Sequence, residues 1–242
     1  MNSTVYIEAI NKFPSDDWSC SAFLGFRNNG ANIKLFENIE EVALNRYTIL
    51  IASIENTHKW MNDMDWKIPE SITIPNELKR KDYTGRVISK MTLRESTHIE
   101  IFPYFIKSYE LKKFIPGIIK SNDDRKWFKD VNDNEIVLVS EVLDFISEYR
   151  VYVLDGKMIG CYYYNGDFKY YPDLDKAEHM INSFTKAPKF YSLDLGITSD
   201  LETFVVECND GYSLGNYGLS PKLYTRGLVS RWRELLEQNP VL

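Results

Sequence analysis

Cysteine is scarce in this chain: Cys20, Cys161 and Cys208 are the only three among 242 residues, and no two are close in sequence. An odd, scattered set excludes a disulfide-stapled scaffold and a zinc or redox motif, and it reads as reduced, buried, cytosolic thiols. Histidine is equally sparse. His58, His98 and His179 stand far apart with no pair at metal-ligand spacing, so surface or supporting roles are expected of them. No apolar run approaches the roughly 18 residues that cross a bilayer. Residues 1–10 lack both a basic start and an unbroken apolar stretch, and the expected location is the cytoplasm. Positive charge is in deficit, with 29 Lys and Arg against 35 Asp and Glu, which argues against broad contact with nucleic acid or an anionic membrane. Internal repeats and low-complexity segments are absent, so the organisation has to be read from strand and helix patterns alone.

What is present is an ordinary globular balance, 44% hydrophobic and 26% charged, in a chain long enough for one large domain or two compact lobes. The first section alternates strand and helix patterns: strands over 5–10, 21–26 and 47–52, and helices near 39–45 and over 55–64. That is a small α/β lobe, with a boundary expected near Leu93. Short strand-like runs follow over 99–118, then a polar loop or short helix over 121–134, then a strand over 136–140. Asp155–Gly156 between two apolar alternating runs predicts a two-residue hairpin. A helix over 173–185, strands over 190–197 and 203–209, and a final helix complete the pattern. In that helix Ser220 caps, Pro221 fits the first turn, and Leu228, Trp232 and Leu235 share one face. The fold class expected is mixed α/β (α+β).

The segment YSLDLGITSDLETFVVECND carries the most chemical information. With its turn centred between Asp200 and Leu201, Asp194 lies opposite Glu207, Leu193 opposite Cys208 and Leu195 opposite Val206. Asn209 follows Glu207 by two residues and so points the same way. Two acids and a carboxamide then share one patch, all hard oxygen donors suited to Mg²⁺. Directly opposed carboxylates repel unless something neutralises them; the alternative is a solvated acidic face.

Cations and backbone supply the rest. Lys107 ends the apolar strand FPYFIK, and Lys112 and Lys113 follow it; lysines at strand ends suit polyphosphate or stand as plain surface charge. Ser140, Glu141, Val142 and Leu143 leave an apolar strand, where free backbone groups can meet a purine edge. In the Asp155–Gly156 hairpin, Arg150 is expected opposite Cys161 and Glu148 opposite Tyr163. Glu148 and Arg150 then either neutralise each other or serve a ribose hydroxyl and phosphate charge. The tyrosines 162, 163, 164, 170 and 171 either line a pocket or pack across strands.

The succession FIK, KKF, SEVL, EYRVYVLDGK and DLGITSDLETFVVECN resembles the ATP-grasp pattern, most of all that of compact single-unit ATP-grasp proteins from phages and bacteria. Their front lobe ends in a segment like YTGRVISK and their last part carries strings like NDGYSLGNYGL. The resemblance is strongest over 107–217. It implies an N-terminal pre-grasp lobe over 1–93 and a grasp domain over 94–242, its small lobe about 94–140 and its large lobe about 141–242. It implies Lys107 and Lys113, or Lys112 in place of Lys113, on ATP phosphates; Glu141 and Leu143 at the adenine; Glu148 on ribose; and Asp194, Glu207 and Asn209 on Mg²⁺. Arg150, with Lys107, would stabilise the transferring phosphoryl group. The family's usual reaction turns a carboxylate into an acyl-phosphate that an amine or thiol attacks, releasing ADP and phosphate. Partners would be a carboxylate-bearing small molecule or peptide and a nucleophilic acceptor. A phosphotransferase of this fold and a silent nucleotide-binding protein are the alternatives. One departure stands out: 121–134, where many relatives have a glycine-rich closing loop, contains no glycine.

Overall fold

The computed structural model of the chain describes residues 4–109 and 114–240. The first sheet is built on β1 (Thr4–Ile10), with β2 (Phe13–Pro14) antiparallel at its end and β3 (Asn32–Phe36) and β4 (Ile49–Ile51) parallel to it. α1 (Asp17–Asn28) occupies the stretch in which a strand was expected over 21–26. The reason is a capping box: Asp16 accepts the Ser19 N–H and Ser19 returns to the Asp16 N–H, so a helix starts before the aromatic run. Ser19, Ala22, Gly25 and Phe26 then fall on its buried face. The helix expected near 39–45 is a single 3-10 turn, Ile39–Glu41, because Val42 is already extended. α2 (Ile54–Asp63), capped by Ser53, lies where a helix was expected.

After α3 (Lys81–Thr84), a second, antiparallel sheet runs in the order β5-β8-β6-β7. Its strands are β5 (Ile88–Thr92), β6 (Tyr104–Ser108), β7 (Gly117–Ile119) and β8 (Ile136–Glu141), with the short α4 (Leu93–Ser96) after β5. The third sheet, order β10-β9-β11-β12, contains β9 (Phe145–Leu154), β10 (Lys157–Gly166), β11 (Phe190–Thr198) and β12 (Thr203–Asp210). α5 (Leu174–Ser183) and α6 (Pro221–Gln238) flank it, and Ser220 and Pro221 open α6 as expected.

Alternation along the third sheet sends odd and even residues of β9 and β11 to different faces. Val151, Val153, Leu193 and Leu195 bury against Ala177, Met180 and Ile181 of α5. On the other face, Tyr152, Leu154 and Phe190 join the core of the first sheet, with Val5, Ile7, Leu50, Trp60 and Trp232. The second sheet has its own smaller core around Ile106, Val137 and Val139. The apolar cover on the even face stops at Tyr152, and the next residue along β9 on that face is Arg150. The polar site begins there. Of the cysteines, Cys208 is buried and Cys161 half-buried, whereas Cys20 is exposed, because it sits on the outer side of α1. Among the described residues no helix is long and apolar enough to cross a membrane.

Candidate functional site

The β11–β12 hairpin brings together the three residues expected to bind metal. Asp194 pairs with Glu207 and Leu193 with Cys208, as alternation predicts. Leu195, however, opposes Val205 and not Val206, because a bulge between Asp194 and Leu195 takes up one residue. The Asn209 Nδ2 donates to Asp194 Oδ2 at 3.2 Å and to Glu207 Oε1 at 3.1 Å.

Two opposed carboxylates need compensation, and the protein supplies it from two directions. Arg150, beside Asp194 on β9, donates Nε to Oδ1 at 2.8 Å and Nη2 to Oδ2 at 2.6 Å. The side chains are 9% and 2% exposed, so both charges have left water for each other. Burial works against the Arg150 charge, but the bonds and charge of Asp194 outweigh it and push its pKa up. The remaining Arg150 nitrogen, Nη1, donates to Gly215 O at 3.3 Å, and the Tyr217 ring lies 4.7 Å from the guanidinium. The second cation comes from the facing sheet: Lys107 of β6 donates Nζ to Glu207 Oε2 at 2.9 Å. Burial alone would raise the Glu207 carboxyl; Lys107, by charge and hydrogen bond, with Asn209 and Arg150, brings it below its ordinary value.

This donor set fits a hard cation. Glu207 is the open member, its side chain 35% exposed, and among the described residues its Oε1 is bonded by a neutral amide alone. Among the described residues no three His, Cys, Asp or Glu side chains cluster as a closed cage. Two acids and a carboxamide leave coordination positions for water and phosphate oxygens, as Mg²⁺ prefers.

Asp155 and Gly156 form the predicted turn, both at positive φ (50° and 72°). The register beyond it differs from expectation. Arg150 opposes Tyr162 and not Cys161, and Glu148 opposes Asn165 and not Tyr163, because β10 carries irregularities between Met158 and Gly160 and between Tyr163 and Asn165. Glu148 and Arg150 do not neutralise each other. Glu148 accepts from Tyr164 Oη at 2.8 Å and Asn165 Nδ2 at 2.7 Å. Burial, with the charges of Asp194 and Glu148, pushes the Tyr164 phenol up, which keeps it a donor. Its ring stacks on Tyr217 with centroids 5.2 Å apart. Tyr163 packs across strands on Tyr149, as in the plainer alternative, and Tyr171, from the loop before α5, also meets Tyr149 edge-on.

At the strand exit, Glu141 ends β8 and is exposed; its Oε2 accepts the Val87 N–H at 2.6 Å. Leu143 is half-buried and lies over Gly85, where an added Cβ would come within 2.9 Å of Leu143 Cδ1. Lys112 and Lys113 lie outside the described residues.

Arg86 escaped the sequence reading. It is 8% exposed, and its Nη1 donates to Thr84 O at 3.0 Å and to Val205 O on β12 at 3.2 Å. Burial lowers its pKa, with Glu141 acting in the opposite sense. Among the described residues it has no carboxylate within ion-pair distance. The available signal was an arginine directly before an apolar strand, which is a weak one. No local signal marks Tyr217, since only the fold brings it to Arg150, far back in the chain.

The sequence family described as an ATP-grasp domain, family 2 of its clade, matches residues 83–226, more than half of the chain. Among curated proteins none matches this sequence. Similar solved structures include the D-cycloserine synthetase DcsG (TM-score 0.62, 9% identity, 96% of this chain and 100% of that one). D-alanine–D-alanine ligase from Bacillus anthracis complexed with ATP is another (0.54, 9%, 98% and 99%). A third is the ATP-grasp ligase PsnB complexed with a phosphomimetic variant of its minimal precursor, Mg and ADP (0.54, 14%, 96% and 98%). At such identities the likeness speaks for the fold, and the three-sheet arrangement agrees with it. From the domain match and the fold together, the chain belongs to the ATP-grasp superfamily.

Proposed function

We propose that this protein is an ATP- and Mg²⁺-dependent ligase that activates a carboxylate as an acyl-phosphate and joins it to an amine or thiol, releasing ADP and phosphate. The observation that carries the reading is the meeting of Lys107, from the second sheet, with the Asp194–Glu207–Asn209 patch of the third. Cation and metal donors converge there as a polyphosphate requires. Family membership supports it, as does the Mg and ADP in the PsnB structure.

In this reading Glu207 and Asn209 bind Mg²⁺ directly, and Asp194 completes the set while Arg150 fixes its orientation. The metal, when bound, neutralises phosphate charge. Lys107, with Lys113 or Lys112, holds phosphates; Arg86 adds a buried cation near the same cleft. Glu141 and Leu143 border the adenine and Glu148 the ribose, exchanging its bonds from Tyr164 and Asn165 for a hydroxyl. Arg150 has Nε and Nη2 committed to Asp194, so its effect on a transferring phosphoryl group is electrostatic and acts across that carboxylate. The proposed division is a pre-grasp lobe over about 1–93 and a grasp domain over 94–242; the pairing of β5 with β8 of the second sheet supports counting 88–92 with the small lobe instead. The cytoplasm is the proposed location.

The test is thermal unfolding of the wild type with ATP, Mg²⁺ and both, and of Glu207→Ala/Asn209→Ala. At about 100 times the dissociation constant, ligand adds about 2.7 kcal/mol. Metal-dependent stabilisation present in the wild type and lost in the double variant supports the reading. Product analysis with acceptor mixtures follows: ADP with free phosphate marks a ligase, and ADP with a phosphorylated acceptor marks a phosphotransferase. Nucleotide binding without any ADP marks a binding protein, and no nucleotide effect on the wild type removes the reading.

A further inference from the structure

Glu207 and Asn209 are aimed by the backbone of β12, and the strand's last residue carries a contact that holds it. Asp210 follows Asn209 and so alternates to the other side of the strand. There Arg231 of α6 meets it, Nε to Oδ1 and Nη2 to Oδ2, both at 2.7 Å. The two side chains are 4% and 10% exposed. The third nitrogen, Nη1, donates to Glu234 Oε2 at 2.9 Å, and the same oxygen accepts the N–H of Lys189, the residue before β11. One guanidinium therefore ties together the end of β12, the entrance to β11 and α6.

A two-bond fork fixes orientation as well as charge, which a lysine cannot do. Burying such a pair contributes little net stability compared with apolar packing, so stability alone does not explain it. Its position does: it anchors the residue adjoining Asn209, while the Arg150 fork anchors Asp194 on the neighbouring strand. Each strand of the hairpin is held by an arginine, β11 at the donor patch by Arg150 and β12 from its other side by Arg231.

We propose that Arg231 is a positioning residue for the metal-binding hairpin: by clamping Asp210 it fixes the backbone that aims Asn209 and Glu207, without itself touching nucleotide or metal. The inference rests on the Mg²⁺ reading given above.

It is tested on the full chain by thermal unfolding at fixed ATP while Mg²⁺ is titrated. The variants are Arg231→Met, Arg231→Lys, Arg231→Met/Asp210→Asn and, as a control on the same helix, Leu235→Ala. Arg231→Met alone leaves the Asp210 charge buried and unpaired, so the neutral double variant carries the test if the single one does not fold. The Mg²⁺ concentration for half-maximal stabilisation is expected to rise at least about tenfold in the double variant, as for other residues that orient metal ligands. Arg231→Lys is expected between it and the wild type. Leu235→Ala should lower the ligand-free midpoint and leave the Mg²⁺ requirement unchanged. An unchanged requirement in the double variant overturns the inference, and so does an equal rise in Leu235→Ala, which would make the effect general loosening. A wild type with no metal-dependent shift overturns the reading of the site and the inference with it, a result distinct from either variant outcome.

Discussion

At the scale of single residues, the Arg150–Asp194 pair dominates the energetics of the site. Removing one partner of a buried ion pair strands the other, at about 3–5 kcal/mol. Arg150→Met should therefore lower the urea-derived unfolding free energy by about that much, and Arg150→Met/Asp194→Asn should recover most of it. A single variant within about 1 kcal/mol of wild type would show that Asp194 does not depend on the arginine. Glu207 gives a pH prediction. Its folded pKa lies below the ordinary 4.5, so its ionised form adds stability that is complete above that value and is lost as pH falls through the folded pKa. In metal-free buffer the midpoint difference between wild type and Glu207→Gln should be constant near neutrality and vanish once acidification has passed the folded pKa. A difference that persists in acid would assign the effect to packing. The opposition of Asp194 and Glu207 was legible because a short turn sets the register of adjoining strands. The partner of Arg150 was not, because Asp194 reaches it across 44 residues of chain and only the β9–β11 pairing brings them together.

At the scale of elements, what sequence showed and what it hid follow from the range of the forces. Strands β8, β11 and β12 and helices α2, α5 and α6 announce themselves through local periodicity and caps. The segment 21–26 did not, since its apolar residues fit a strand as well as a helix and the deciding Asp16–Ser19 box lies upstream. Bulges in β10 and β12 displaced the expected registers of Arg150, Glu148 and Leu195 for a related reason: an inserted residue leaves no trace in alternation. Helix packing adds a constraint that no pattern shows. Gly25 of α1 lies so close to α6 that an added Cβ would collide with Pro221 O and fall 2.5 Å from Thr225 Cγ2. Alanine improves helix propensity by about 1 kcal/mol, but overpacking a rigid contact costs about 1–3 kcal/mol, and here the obstacle is backbone. Gly25→Ala should be net destabilising, read as a lower midpoint in chemical denaturation. A neutral or stabilised variant would mean that the α1–α6 contact yields readily.

At the scale of the molecule, cohesion is uneven. The first and third sheets share one continuous core that runs from Val5 and Trp60 through Tyr152 and Phe190 to Trp232. The second sheet keeps a separate and smaller core; it is linked to the third by Lys107–Glu207, by Ile88 at the edge of the third sheet's core, and by Arg86, just before β5, bonding Val205 O. Polar contacts at a partly open cleft hold less firmly than shared apolar area, so the second sheet should open at lower free energy than the rest. Amide hydrogen exchange without ligand should accordingly be faster over β6 and β8 than over β9 and β11. ATP with Mg²⁺ should then slow exchange in β6 and β8 more than elsewhere, because phosphates bound by Lys107 and a metal bound by Glu207 would tie both sheets to one ligand. Equal protection of all three sheets before ligand would mean that the cleft does not open as a unit. Protection that rises only within β11 and β12 would place the nucleotide on the third sheet alone and take Lys107 out of its binding site.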